Sequence, residues 1–285
     1  MLTIVGFIVV IGAVIGGFIM EGGKLLVLFQ PAEFLIIGGA ALGGLIVATP
    51  KSVLIDIIRQ ITGTLGAGYS RKDFMDLMVM QYEIFNIARR EGLVGLESHI
   101  EKPQESEVIT KYPSFLKNHE AVAFMSDTMR LIITGSVQPH ELENLLDVDL
   151  ETLHSETDRA ATTLATTADS LPGLGIVAAV LGVVITMGAI GGPPEEIGEK
   201  VGAALVGTFL GVLLCYGFVG PLANSLRSRN QSDSAYMKCL KQCLLSFCKG
   251  LPPSIAVEYG RRSIPTEMRP SFLEVEEACK GARKG

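Results

Sequence analysis

The chain alternates between stretches with no charge at all and stretches dense in charge. Leu2 to Met20, Phe34 to Pro50, Ser170 to Pro194 and Val201 to Leu226 contain no Asp, Glu, Lys or Arg. Nineteen residues, the length of the first stretch, make a helix of roughly 28 Å, near the thickness of a bilayer's hydrocarbon. The second stretch has only 17 residues, short for a span, with Glu33 and Lys51 placed to sit at its two interfaces. Two hairpins are still better than an odd number of crossings. The first stretch lacks a basic leading segment and a clean small-residue cleavage site, so it reads as a retained helix.

The polar segments also carry helical spacing. Asp73 to Arg90 places Phe74, Leu77, Met78, Ile84, Phe85 and Ala88 mostly on one face and stops before Gly92. Phe115 to Thr134 repeats the pattern and ends at Gly135. A further helix starts at Pro139, which suits a first helical position, and runs past Thr167 into the third span as one rod. Leu226 to Lys249 is helical up to Pro252–Pro253, and Ser271 with Glu274 has the spacing of a capping box. No run alternates at period two and no solenoid repeat occurs, so no sheet is expected. The fold class is all-α: a polytopic membrane protein with four transmembrane helices and a helical cytoplasmic domain. Its parts are hairpin 1 over 1–50, a cytoplasmic domain over 51–169, hairpin 2 over 170–226 and cytoplasmic helices over 227–285.

Composition sharpens the class. Hydrophobic residues make up 48% and charged residues 19%, too apolar for a soluble chain of 285 residues. Aromatics are only 6% and Trp is absent, so aliphatics and 32 glycines carry the apolar weight, as in closely packed membrane helices. A net charge of −6 argues against nucleic acid as partner. Disorder and a disulfide framework are excluded as well. The connections 21–33 and 195–200 hold one cation each, Lys24 and Lys200, whereas 51–169 and 227–285 hold 11 each. Cations near spans stay inside, so both termini and the large loop are expected in the cytoplasm, with two short external turns.

Several motifs carry little. Gly63-Thr64-Leu65-Gly66-Ala67-Gly68 lacks the Gly-Lys-Ser/Thr end and the preceding strand of a phosphate loop, and reads as a flexible juncture. Cys239 and Cys243 share a helix face, but no His lies nearby and the C-x-x-C spacing is missing, so no metal site is expected. Cys215 falls within a span and Cys248 and Cys279 stand alone. The histidines at 99, 119, 140 and 154 are scattered, and no nucleophile–base pair can be assembled, so no enzyme, catalytic residue or cofactor is expected.

The glycines say more. Gly12/Gly16, Gly39/Gly43 and Gly207/Gly211 each form a small face suited to close helix contact, within the chain or between copies, and point to an oligomer. Pro172, opening the third span, and Pro221, late in the fourth, suit either helix punctuation or a hinge at the cytoplasmic mouth. A proton or ion path normally places an ionisable residue within a span, at considerable cost. The four charge-free stretches have none, and Thr186 and Thr208 are among the few hydroxyls that could line a path. A titrating carboxylate would then have to come from another chain.

These pieces carry a resemblance. Gln30-Pro31-Ala32-Glu33, Pro103-Gln104-Glu105-Ser106-Glu107 and Asp169-Ser170-Leu171-Pro172 are similar to the MotA family of flagellar motor stator subunits. So are Gly175-Ile176-Val177-Ala178-Ala179-Val180, Val206-Gly207-Thr208-Phe209-Leu210-Gly211, Tyr216-Gly217-Phe218 and Arg269-Pro270-Ser271-Phe272. The resemblance implies a pentamer around a dimer of MotB, whose transmembrane Asp carries the ion, and contact with the rotor protein FliG through charged loop residues. It makes Arg89, or its neighbour Arg90, and Glu97 the rotor-facing residues and Pro172 and Pro221 the mouth prolines. Sodium-driven relatives place Thr seven residues after the first mouth proline; here that position is Ala179, which implies protons. The alternative is an envelope energy transducer of the ExbB/TolQ type, whose members usually have three spans. A stand-alone transporter is a third class.

Overall fold

A computed structural model describes residues 2–64, 68–188 and 190–282. Among them all regular structure is helical. In chain order the helices are α1 (Leu2–Met20), α2 (Leu25–Leu28), α3 (Pro31–Ala48), α4 (Lys51–Thr64), α5 (Arg71–Glu91), α6 (Glu97–Glu101) and α7 (Pro113–Leu116). They continue with α8 (His119–Thr134), α9 (Pro139–Met187), α10 (Pro194–Leu213), α11 (Gly220–Cys248), α12 (Pro253–Ser263) and α13 (Phe272–Ala282). The chain forms two compact units, Met1–Gly66 with Glu156–Arg229, and Ala67–Ser155 with Asn230–Gly285.

The first unit holds the apolar helices. Four of the described helical stretches are long and apolar enough to cross a membrane, beginning at Leu2, Leu25, Pro139 and Pro194. The second runs Leu25–Ala48, so the short charge-free stretch gains its missing length at its N-terminal end. Pro31 is the reason: at a first helical position it needs no N–H partner, and α3 starts there rather than at Phe34. Glu33 therefore lies within the helix and not beyond it. The second connection is shorter than the charges suggest, because Glu195, Glu196, Glu199 and Lys200 belong to the first turns of α10. An ion pair of Lys200 with Glu196 at 2.8 Å, one turn apart, supports that extension.

Close backbone approach holds this unit together. A Cβ on Gly211 would stand 2.6 Å from the Leu171 carbonyl oxygen, and one on Gly175 would stand 2.7 Å from that of Gly207. α9 and α10 thus touch through backbone, which only glycine permits. Around this contact Ile37, Ala41, Ala168, Leu171, Ala178, Leu210 and Cys215 form a core. By contrast, a Cβ on Gly12, Gly16, Gly39 or Gly43 would meet nothing within 4 Å, and α1 buries none of its residues. One small-residue face works within the chain and two stay open. α4, which the charge pattern left inside the polar domain, also packs here: Val53 and Ile57 bury against Ala160 of α9. Gln60 donates to the Thr157 carbonyl at 2.9 Å, and Arg229 donates to that of Gly63 at 2.5 Å. The glycine-rich motif that follows, through its residues 65–67, lies outside the described residues.

The second unit has an aromatic and sulfur-rich core. Phe74, Leu77, Met78, Ile84 and Phe85 of α5 are fully buried, with Phe85 stacked on Phe247 at 4.3 Å between ring centroids. Tyr69 stacks on Tyr236 at 4.0 Å. Cys239 and Cys243 pack as small apolar groups against Gly260 of α12, where a Cβ would collide with the Cys243 sulfur. Phe115 to Thr134 forms two helices rather than one. Asn118 accepts from the Ala121 N–H at 2.9 Å and so begins α8 anew after α7. Gly135, in the left-handed conformation at φ 61°, ends it. The capping box at α13 is present: Ser271 N–H donates to Glu274 Oε2 at 2.6 Å and Glu274 N–H to Ser271 Oγ at 3.3 Å.

Two predictions follow from this packing. Gly211→Ala should destabilise the first unit by about 1–3 kcal/mol, because α9 and α10 must separate; Gly12→Ala should leave a single chain's fold intact. Resistance of each variant to proteolysis in membranes checks this. In the second unit Arg261, bonded at 2.6 Å, and Arg262 hold the Glu258 carboxyl below its ordinary range. That stabilisation is present above the unfolded carboxylate's value and lost as pH falls through the folded one. Glu258→Gln should therefore lower thermal stability at neutral pH, and the difference from the parent should shrink on acidification.

Candidate functional site

Among the described residues, the one carboxyl buried in the apolar helices sits where α3, α9 and α10 meet. Glu33 is the third residue of α3 and 6% exposed. It shares a stripe with Ile37 and Ala41, one and two turns along, so the same face that packs the helix carries the acid. Gly207 makes room for it, whereas a Cβ on Gly182 would first meet that of Ala204 on α10, at 2.6 Å. A Cβ on Gly207 of α10 would stand 2.5 Å from Glu33 Oε2, and one on Gly182 of α9 would stand 3.7 Å from Oε1. Glu33 Oε2 has no hydrogen-bond partner among the described residues. The second candidate span, drawn from Leu25 instead of Phe34, thus includes an ionisable residue that the charge-free stretch left outside.

Three expected path residues gather near this carboxyl. The Cβ position of Gly207 lies 3.1 Å from the Ala179 nitrogen, placing Ala179 beside the α9–α10 contact. Thr208 is the next residue of α10, and its Cα would be 3.3 Å from a Cβ on Gly175. Thr186, one turn beyond Gly182, is fully buried, and its hydroxyl donates to the Gly182 carbonyl at 2.8 Å. That hydroxyl is committed to its own helix.

The prolines stand further along the same helices. Pro172 does not open a helix, as its position before the span suggested; it lies inside the unbroken α9. The Ala168 carbonyl thereby loses its usual donor, a local weakness in a helix of 49 residues. Hydroxyls gather just before it: Thr167 donates to Thr163 O at 2.9 Å and Ser170 to Thr167 O at 2.7 Å. Pro221 follows a π-helical turn, Leu214–Val219, which absorbs the break without ending the rod. It is exposed. Gly182 and Pro172 are ten residues apart on α9, about 15 Å along its axis.

The charged candidates lie in the other unit. Arg89 and Arg90 close α5, Glu97 opens α6, and all three are exposed. Arg90 pairs loosely with its neighbour Glu91 at 3.6 Å. Sequence reading placed Glu33 at an interface outside the second stretch; the structure puts it in the first turn of α3, buried against its neighbours, and Pro31, two positions earlier, was the start signal for that turn.

Comparison with known proteins adds a second kind of finding. Residues 4–92 match the model of the motility protein A N-terminal region, and residues 117–238 match that of the MotA/TolQ/ExbB proton channel family. The chain is 42% identical over 284 residues to motility protein A of Salmonella typhimurium, covering 99% of this chain and 96% of that one. It is 42% identical over 291 residues to motility protein A of Escherichia coli, with the same coverage. To the chemotaxis protein LafT of Vibrio parahaemolyticus it is 38% identical, over 95% of this chain and 96% of the relative. Among solved structures, MotAB of C. jejuni aligns with a TM-score of 0.77 at 20% identity, over 94% of this chain and 98% of that one. The flagellar MotAB stator complex from Bacillus subtilis aligns equally well, over 94% and 97%. At that identity the likeness concerns the fold.

Proposed function

The chain belongs to the motility protein A family, and from that premise we propose that it forms the proton-conducting shell of a flagellar stator, working as a pentamer around a dimer of MotB. That it is a stator subunit of the proton channel class rests on one observation, the 42% identity that runs through nearly all of both chains. The ExbB/TolQ reading is not favoured, because the match over 4–92 is to the N-terminal region particular to motility protein A. The protein is multi-pass, and we place it in the bacterial inner membrane with both termini in the cytoplasm, as the cation asymmetry suggests. No cofactor is assigned to the chain.

In this reading the partner contributes a transmembrane Asp. When that carboxylate takes a proton, a charge costly to bury disappears and the favoured helix contacts around it change. Open glycine faces at Gly12/Gly16 and Gly39/Gly43 suit the contacts between copies. α9, continuous from Pro139 to Met187, carries the change along one rigid element, with Pro172 as its weak point. Pro172, Ala179, Thr186, Thr208 and Pro221 border the path and its mouth. Arg89 and Glu97 push the rotor protein FliG; Arg90 is the weaker candidate of the two arginines because Glu91 offsets its charge. The transported ion is H+, with Na+ the lesser alternative, because Ala179 offers no hydroxyl.

Three outcomes test this reading. Membranes holding the chain with MotB should conduct protons, and neutralising the MotB Asp should abolish that flux and swimming together; conduction by this chain alone would overturn it. Swimming should follow the proton gradient and ignore external sodium, and Ala179→Thr should alter ion use if that face of α9 lines the path. Charge reversal at Arg89 or Glu97 should impair swimming, with partial recovery when the rotor charges are reversed to match. No recovery in the double change would remove these residues from the interface.

A further inference from the structure

We propose that Glu33 is a proton-carrying site of the channel supplied by this chain itself, placed between the external face and the partner's carboxylate. The proposal rests on the reading above for the partner and for the sidedness of the membrane. Its physical basis is the geometry around Glu33. The side chain is 6% exposed, packed between α9 and α10, and its Oε2 has no hydrogen-bond partner among the described residues. A buried carboxyl that only filled space would be replaced at no loss by an apolar residue, since an unsatisfied polar atom weakens the packing around it. Here α10 instead gives up a side chain at Gly207, where a Cβ would stand 2.5 Å from Oε2, and leaves the acid its room.

The charged groups near the apolar stretches packed against Glu33 are few, the many acids of α9 before Arg159 lying more than two turns beyond Pro172. α10 carries Glu195, Glu196, Glu199 and Lys200 in its first turns, with Lys200 paired to Glu196 at 2.8 Å. The turn before α2 carries Glu21 and Lys24, α9 has Asp169 beyond Pro172, and Lys51 follows the far end of α3. None of these is an ion-pair partner of Glu33 in the structure. A carboxylate buried without a cation is far more costly than the neutral acid, so burial and protonation are linked at this position.

The transfer balances simply. The acid O–H of Glu33 breaks as its proton passes through water to the partner's carboxylate, which becomes the acid, and Glu33 is left as a carboxylate. A hydronium ion from the external side then restores the Glu33 acid and leaves water. The net change is one proton moved inward, with the intermediate negative charge resting at the first turn of α3, where the helix dipole favours it. Along α9 the site lies about 15 Å from Pro172, so a carrier between the external face and the mouth is useful on distance alone.

The test compares Glu33→Gln, which keeps shape but cannot carry a proton, with Glu33→Asp, which can. In membranes holding the full complex, Glu33→Gln should lower proton flux by roughly a hundredfold, the low end of what a positioned proton-transfer group contributes. Glu33→Asp should recover part of it with a changed dependence on external pH. Co-purification with the partner confirms assembly in both. Labelling of the unaltered complex by dicyclohexylcarbodiimide, which attacks protonated carboxyls in apolar surroundings, gives a measurement independent of any variant. Adduct at Glu33 that fades as external pH rises supports the proposal. Wild-type flux and pH profile in Glu33→Gln, or absence of the adduct at Glu33 while the partner's carboxyl is labelled, overturns it. Failure of the partner reading shows separately, as flux that survives loss of the partner's carboxyl.

Discussion

Everything in the membrane unit depends on how closely α9 and α10 can approach. Their contact is made by backbone: Gly175 faces Gly207 and Gly211 at distances that leave no space for a methyl group. In lipid there is little hydrophobic force between helices, so van der Waals contact of this kind is a principal source of cohesion. Gly207, in the same stripe, also leaves room for the Glu33 carboxyl. Cohesion and the room for that carboxyl therefore both draw on Gly207, and a larger residue there would disturb both.

The long helix is the second constraint. α9 runs unbroken from Pro139 to Met187 despite Pro172. A proline inside a helix removes one hydrogen bond but does not end the rod when packing on both sides holds it. Ala168 and Leu171 on one side of it and Ala178 on the other are buried in the same core. π-helical geometry just before Pro221 gives α11 an equivalent tolerance. Both prolines thus sit in helices that continue past them.

In the polar unit, cohesion has a different source. Stacked rings, Phe85 on Phe247 and Tyr69 on Tyr236, and buried sulfur groups fill the core. Charged residues are left on its surface, Arg89, Arg90 and Glu97 among them. The division matches the solvents: water supplies the driving force for an apolar core here, whereas lipid cannot.

Much of this was legible without coordinates. The four spans, the absence of strand patterns, α9 as a continuous rod and the Ser271–Glu274 cap all follow from local rules: charge exclusion, hydrophobic period and capping chemistry. The resemblance carried by short motifs, and with it the family, was legible too. Tertiary structure decided what local rules cannot address. α3 begins at Pro31, so Glu33 lies inside a span; α4 packs with the spans; Asn118 divides a single apolar pattern into two helices; one glycine face is used within the chain and two are left open. Each depends on which surfaces meet, and a linear pattern does not encode contacts between residues far apart in sequence. The charge-free stretches thus identified a membrane protein and the short motifs its family, while only the packing of three helices showed that Glu33 is buried between α9 and α10.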